Sequence, residues 1–339
     1  MLFGLSALRP RSKAAPVAAA PDPALVPGWF SRDEAIMGTA IHVELWAASR
    51  AAADSAIDAV MEEMHRIDRA MSPHKPDSEL CRINREAGCG PVQLSDEMAG
   101  LVARALELSH LSQGAFDISY ASAGQLYDYR AGVRPDDATL ANACRAIGYQ
   151  HLHFDPMACT LAFGLPGMRI DLGGFAKGHA VDRGVAILRR LGVAHAIVSA
   201  GGDSHVLGDR RGRPWTVAIR DPRREGEVVA VLPLEDVAIS TSGDYERYFE
   251  QGGVRHHHVL DPRTGRSPAH LRSVTILADD GLTTEGLSKT VFVMGRERGL
   301  ALIERLPGID AVVVDDHGEL HFSSGLLGPG NAPGPSRPA

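Results

Sequence analysis

The chain has 339 residues, a formal net charge of −7, 44% hydrophobic side chains and four cysteines. That length suits one large domain or two ordinary ones, and the apolar share is ample for a globular core. The modest acidity argues against a nucleic-acid backbone as the main partner, which needs a concentrated basic face, and no apolar run reaches the roughly 18 residues of a membrane helix.

Cys81, Cys89, Cys144 and Cys159 show no C-x-x-C spacing, so neither a zinc site nor a disulfide framework is indicated. Free, buried or half-buried thiols of a reducing compartment are expected. Residues 1–28 are rich in Ala and Pro without periodicity and predict a disordered leader. Met1–Leu8 is apolar, but Arg9, Arg11 and Lys13 follow it, the reverse of a secretory signal. As it stands the sequence reads as cytoplasmic; a misplaced start codon would open the periplasm instead.

Residues 36–46 alternate as a strand, with Ile41, Val43 and Leu45 on one face. The spacing of Ala53, Ile57, Val60, Met61, Met64 and Ile67 predicts a helix over 50–70, ended by Pro73 and Pro76. The next loop carries His74, Lys75, Asp77, Ser78, Glu79 and Asn84. Its plain reading is a solvated loop, with Ser78-Glu79 starting a short turn of helix. A second helix is expected over 95–113, capped by Ser95 and closed by Gly114, with Met98, Leu101, Val102, Ala105 and Leu108 inward. Asp117, just past an apolar pair, suits a capping carboxylate or a ligand contact. Residues 130–166 predict a peripheral helix from Asp137 to Ile147 and a hairpin.

The densest stretch runs from Arg169 to Gly208. A strand lead through Met168 and Ile170 reaches Asp171 and the pair Gly173-Gly174. Ala180, Val181, Val185, Ile187, Leu188 and Leu191 then mark a helix that Gly192 stops. Ala196-Ile197-Val198 reads as a buried strand ending at Gly201-Gly202-Asp203. Glycines let backbone approach a ligand closely, and a helix N-terminus offers free N–H groups to phosphate. Each glycine pair alone reads as an ordinary turn; two pairs framing one helix point to a nucleotide site.

After Gly208 the chain turns to β, with strands in PWTVAIRDP, EVVAVLPLEDVAIST, HHHVLDP and RSVTILAD. Three successive histidines cannot all face one metal from a strand, because alternate side chains point to opposite faces. His256 and His257 read as hydrogen-bonded or solvent-facing; His258 shares the parity of His256 and lies three residues before Asp261-Pro262. A helix is expected over 283–294, capped by Thr284 with Leu287, Val291 and Met294 inward, then another over 296–305. AVVVDD and ELHFSS predict a last hairpin, followed from Gly325 by an unstructured Gly/Pro-rich tail.

Several segments together resemble the ApbE family of FAD:protein FMN transferases. They are MGT at Met37–Thr39, SPHKPDSELCRIN at Ser72–Asn84, GAFDIS at Gly114–Ser119, IDLGGFAKGHAVD at Ile170–Asp182 and SAGGDSHVLG at Ser199–Gly208. TSGDYERYF at Thr241–Phe249, HHVLDPRTG at His257–Gly265 and EGLSKTVFVMG at Glu285–Gly295 complete the set. Each is weak alone; their shared order is specific. The resemblance implies an α+β fold of mixed, largely antiparallel sheets flanked by helices. It implies one domain over 29–325, with residues 326–339 a disordered tail.

The implied reaction cleaves the pyrophosphate of FAD, passes the FMN phosphoryl group to a Thr or Ser hydroxyl on a target protein, in character a redox subunit, and releases AMP. Such chemistry is mostly positioning and charge stabilisation, with a base for the attacking hydroxyl. By similarity, Met37, His74, Ala115, Phe116, Asp117, Asp171, Lys177 and Leu260 would line the FAD site, and His258 would be the base. Magnesium would be held by a backbone carbonyl at Gly174 and by an Asp and a Thr four residues apart. Here those last two positions are Glu285 and Lys289. Magnesium wants compact oxygen ligands, and an ammonium cannot ligate a cation. In one reading Lys289 fills the metal hole and supplies its charge. In another Lys289 turns aside and a metal binds through Glu285, Gly174 and substrate phosphates. A plain surface ion pair at i, i+4 is the third. Two alternatives to transfer stand beside it: hydrolysis of FAD to FMN and AMP, and an FAD-binding protein that has lost turnover.

Overall fold

The structure, a computed structural model, describes residues 26–327. The expected leader up to residue 25 and the expected tail from residue 328 lie outside the described residues. Gly28, assigned to the leader, instead opens strand β1 (Gly28–Ile36), which pairs antiparallel along its whole length with β2 (Thr39–Ala47). The two-residue turn between them has φ +54° at Met37 and +69° at Gly38, both in the left-handed region. That is the backbone of a type I′ turn, whose twist matches the flanking strands. Along β2, Ile41, Val43 and Leu45 are fully buried, as the alternation predicts.

Helix α1 (Arg50–Met71) is capped by Ser49, whose side chain accepts from the Ala52 N–H. Ile57, Val60, Met64 and Ile67 are at most 1% exposed on its inner face. Each such burial contributes about 1.5–3 kcal/mol before entropy is counted. Ser72, extended at ψ 127° ahead of Pro73, ends it. Helix α2 (Glu79–Glu86) starts from the Ser78 cap and extends the expected short turn to eight residues. Next come β3 (Val92–Gln93) and α3 (Asp96–Leu111), capped by Ser95. A single turn α4 (Ala121–Gly124), helix α5 (Asp137–Cys144) and the hairpin β4 (Leu152–Asp155) and β5 (Thr160–Phe163) follow. Strands β3, β5 and β4 form a small separate sheet.

The strand expected at Met168–Ile170 is not one. That segment is held by side chains: Asn84 donates to the Ile170 carbonyl and accepts from its N–H, at 2.9 and 2.8 Å, and Ser122 Oγ accepts from the Arg169 N–H at 3.0 Å. Helix α6 (Ala176–Arg190) leads to β6 (Ala196–Ala200) and, across the Gly201-Gly202 turn, to β7 (Asp203–Leu207). The segment after Gly202 therefore pairs back as a strand, which periodicity had not marked.

Strands β8 (Trp215–Arg220) and β9 (Val228–Leu234) form a hairpin, followed by β10 (Ala238–Gly243). The polar segment beyond holds a further hairpin, β11 (Tyr248–Gln251) and β12 (Val254–His257). Strand β13 (Leu271–Ala278), α7 (Gly281–Met294), α8 (Arg296–Ile303), β14 (Asp310–Asp315) and β15 (Leu320–Phe322) close the described chain. Helix α7 starts earlier than expected: its cap is Asp280, accepting from the Thr283 N–H, and Thr284 is buried inside the first turn.

The main sheet has the order β1-β2-β6-β7-β10-β13-β14-β15, with every neighbouring pair antiparallel. Helices α1, α6 and α7 cover it, the core lying between. A second apolar cluster, with Val206, Trp215, Leu234, Ile239 and Leu277, joins the β8–β9 hairpin to the sheet. This is the expected α+β architecture. The four cysteines are free, Cys89 exposed and the others half-buried.

Candidate active site

Helices α6 and α7 meet at glycine. A Cβ on Gly178 would overlap the Gly281 carbonyl, so the two backbones touch. The helices run in opposite senses there and cap each other. Glu285 of α7 accepts from the Gly178 N–H at 2.7 Å; Asp182 of α6 accepts from the N–H groups of Gly281 and Leu282 at 2.7 and 3.0 Å. Carboxylates are favoured at both places because helix N-termini leave N–H groups unpaired and partly positive.

Lys177, one residue from that contact, bridges two buried carboxylates, Asp203 at the start of β7 and Glu285. Lys289, one turn further along α7, donates to Glu285 Oε1 at 3.0 Å. Asp203 also accepts from Ser240 Oγ at 2.5 Å, and Ser288 sits within hydrogen-bond reach of Ser240 and Ser242. Glu285 is fully buried. Burial pushes its pKa up, but Lys177 and Lys289 outweigh it and hold it at about 2. Lys177 is pushed down by burial and raised overall by Asp203 and Glu285. A surface ion pair is therefore ruled out for Glu285 and Lys289.

A pocket opens in front of this cluster. Ala115, Phe116, Asp117, Asp171, Gly174, His258, Leu260 and Lys289, all singled out from the sequence, line it together with Tyr120, Gly173 and Pro262. Lys177 and Glu285 are not in the lining; Glu285 holds Lys289, which is. Met37 and His74 are not in the lining. Met37 forms the β1–β2 turn, where Arg247 donates to the Gly38 carbonyl at 3.2 Å. His74 is exposed.

Asp117 resolves its two readings towards capping. Its Oδ1 accepts from the Ser119 N–H and Oγ at 2.8 and 2.6 Å, and Oδ2 from the Tyr149 N–H at 2.7 Å. The carboxylate thus faces protein and shapes the Ala115-Phe116-Asp117 bend. Asp171 is held by its N–H on the Ile118 carbonyl at 3.0 Å. Its Oδ1 accepts from the Gly173 N–H at 2.5 Å and from Tyr120 Oη at 3.3 Å. A Cβ on Gly173 would sit 2.7 Å from that oxygen, which explains the glycine. Burial raises the pKa of Asp171 despite those bonds, and burial raises Tyr120 as well.

Strand β12 ends at His257, so strand parity no longer governs His258. His257 bonds the Pro268 carbonyl at 2.9 Å, as its hydrogen-bonded reading anticipated, whereas His256 is half-buried and packs on Phe249 with ring centroids 5.1 Å apart. His258 instead lines the pocket, with its N–H on the Arg247 carbonyl at 3.1 Å and a buried Nδ1 that has no protein partner. Burial, then the charge of Lys289, pushes its pKa down to about 3, so the imidazole is neutral at pH 7. Tyr120, Asp203, Ser240, Ser288 and Asn84 belong to this site or its supports and were not among the sequence candidates. Asp203 was nearest to legible, being the polar end of the second glycine turn.

The residues present do not fit magnesium. Both oxygens of Glu285 are taken, Oε1 by two ammonium groups and Oε2 by a backbone N–H. The Lys289 stem lies over Gly174, its Cδ 3.6 Å from where a Gly174 Cβ would be. A cation already stands where the metal's oxygen ligands would converge. Among the described residues, Asp315, Glu319 and His321 group their ligand atoms elsewhere, but Arg296 lies 3.3 Å from Asp315 and 3.4 Å from His321.

The ApbE family model matches residues 37–313. A protein named FAD:protein FMN transferase from Treponema pallidum is 32% identical over 322 residues, covering 88% of each chain. One of the same name from Vibrio cholerae is 37% identical over 279 residues, 79% of this chain and 81% of that one. Among solved structures, the ApbE protein of Thermotoga maritima superposes with a TM-score of 0.81 at 30% identity, covering 88% of this chain and 98% of that one. The flavin transferase ApbE of Vibrio cholerae gives 0.79 at 29% identity with the same coverage.

Proposed function

The chain belongs to the ApbE family, and on that footing we propose that it moves the FMN moiety of FAD onto a Thr or Ser hydroxyl of a target protein and releases AMP. The observation that carries this reading is the convergence of Ala115–Asp117, Asp171, Gly174, His258 and Leu260, from separate stretches of the chain, on one pocket.

The acceptor oxygen attacks the FMN phosphorus, a new P–O bond forms, and the bond to the bridging oxygen breaks. AMP leaves with that oxygen and its electron pair. The hydroxyl proton passes to the neutral His258 imidazole and then to solvent. A positioned base of this kind contributes typically about 10²–10⁴-fold. Asp171, oriented by Tyr120 and the Gly173 N–H, and Phe116 hold the flavin nucleotide. Lys177 keeps Asp203 and Glu285 in place. The acceptor is a protein with an exposed hydroxyl-bearing segment, in keeping with a redox subunit that carries flavin covalently.

Incubation with FAD and a candidate target should give a fluorescent, covalently flavinylated band and one AMP per adduct by mass spectrometry. His258→Gln should lower both about 10²–10⁴-fold while leaving FAD binding in place. AMP release at the same rate without any target would favour hydrolysis. FAD bound without AMP release, target present, would make the chain a flavin carrier.

A further inference from the structure

Beneath Lys289, which lines the pocket, lies a pair of buried carboxylates, Asp203 and Glu285. Asp203 and Glu285 are 2% and 0% exposed. With both carboxylates ionised and Lys177 alone between them, the cluster would carry one net negative charge, and a dinucleotide bridge would be repelled unless another cation came with it. Lys289 removes that charge. Its stem crosses Gly174, its Nζ is tied to Glu285 at 3.0 Å, and it lines the pocket. An ammonium has three N–H donors; among the described residues this one uses a single protein acceptor, which leaves donors for an anion. A methylene longer than aspartate, Glu285 reaches both the Gly178 N–H and the two lysines, so its own acceptors are filled.

We propose that Lys289 is a built-in counter-charge for the flavin diphosphate, standing in for a divalent metal ion, so that this chain binds FAD without magnesium. The proposal rests on the flavin reading above and deepens it. Lys289 is placed by Glu285, which Lys177 and the start of α6 hold rigid; the cation arrives with the fold and not from solution.

The test is FAD binding by the full chain, followed by flavin fluorescence in EDTA and in excess magnesium, with calorimetric titration of magnesium alone. Equal affinity in both buffers, within about twofold, and no magnesium heat are expected. Lys289→Thr should weaken FAD binding in EDTA roughly 10–100-fold, the loss of a charged hydrogen bond. Lys289→Thr with Glu285→Asp should bind magnesium and recover FAD affinity only in its presence. Wild-type affinity that rises tenfold or more with magnesium overturns the proposal, as does a silent Lys289→Thr in EDTA. If that variant does not fold, the wild-type comparison decides by itself. FAD that fails to bind in either buffer sinks the flavin reading too, whereas FAD that needs metal sinks the proposal alone.

Discussion

Helix α6 carries two ionic networks that look alike on paper and differ in solvent. At its first turn, Lys177, Asp203 and Glu285 form a buried network with Lys289, which lines the pocket. On its outer face, His179 and Arg183 join Glu63, Glu97 and Arg66, tying α6 to α1 and α3. Each holds a glutamate at a pKa of about 2, Glu285 in one and Glu97 in the other. The Glu285 side chain is 0% exposed and the Glu97 side chain 24%. Water would keep Glu97 ionised without its partners; Glu285 is ionised only because two lysines face it. Ion pairs of similar length are therefore structural necessities in one place and dispensable in the other.

Removing one partner should separate the two networks. Lys177→Met leaves two buried carboxylates with one counter-charge, and is expected to cost about 3–5 kcal/mol in urea unfolding. A loss under about 1 kcal/mol would mean that this network is as wet as the surface. Gly178→Ala tests the same junction through packing, since the added methyl overlaps the Gly281 carbonyl; about 1–3 kcal/mol is expected, together with weaker FAD binding as α7 shifts. Arg66→Ala in the outer network should cost only about 0–1 kcal/mol and fade with added salt.

The smallest effect is a pH slope. Hydrogen bonds from His179, then Arg66, depress the pKa of Glu97 from 4.5 to about 2. A depressed carboxylate stabilises fully above its unfolded value and loses that contribution as pH falls through the folded one. Glu97 should thus add stability above pH 4.5 that drains between 4.5 and 2. Urea midpoints over that window should fall less steeply in Glu97→Gln than in the wild type; equal slopes would place the titration elsewhere.

Local pattern was a good guide wherever one face of an element is buried. The inner faces of β2, α1 and α3 follow residue spacing because burial on one side imposes period. It failed where backbone is paired by distant partners. Met168–Ile170 looks like a strand, yet Asn84 and Ser122 take its hydrogen bonds. Residues 203–207 and 248–251 were unmarked because polar side chains interrupt their alternation, although the antiparallel ladder still claims them. The true cap of α7 was hidden by the sequence Asp280-Gly281, which reads as a turn until Asp182 arrives from α6.

Read alone, the chain yields the family, most of the helices, the main site candidates and the i, i+4 pairing of Glu285 with Lys289. Those depend on residue identity and short-range spacing, which a linear chain carries in full. It took the folded chain to show that Glu285 is buried, that Lys177 shares it, and that the Asp117 carboxylate accepts from Ser119 and Tyr149. Each depends on how much water reaches a group and which distant atom meets it, and neither quantity exists until α6 and α7 have closed on each other.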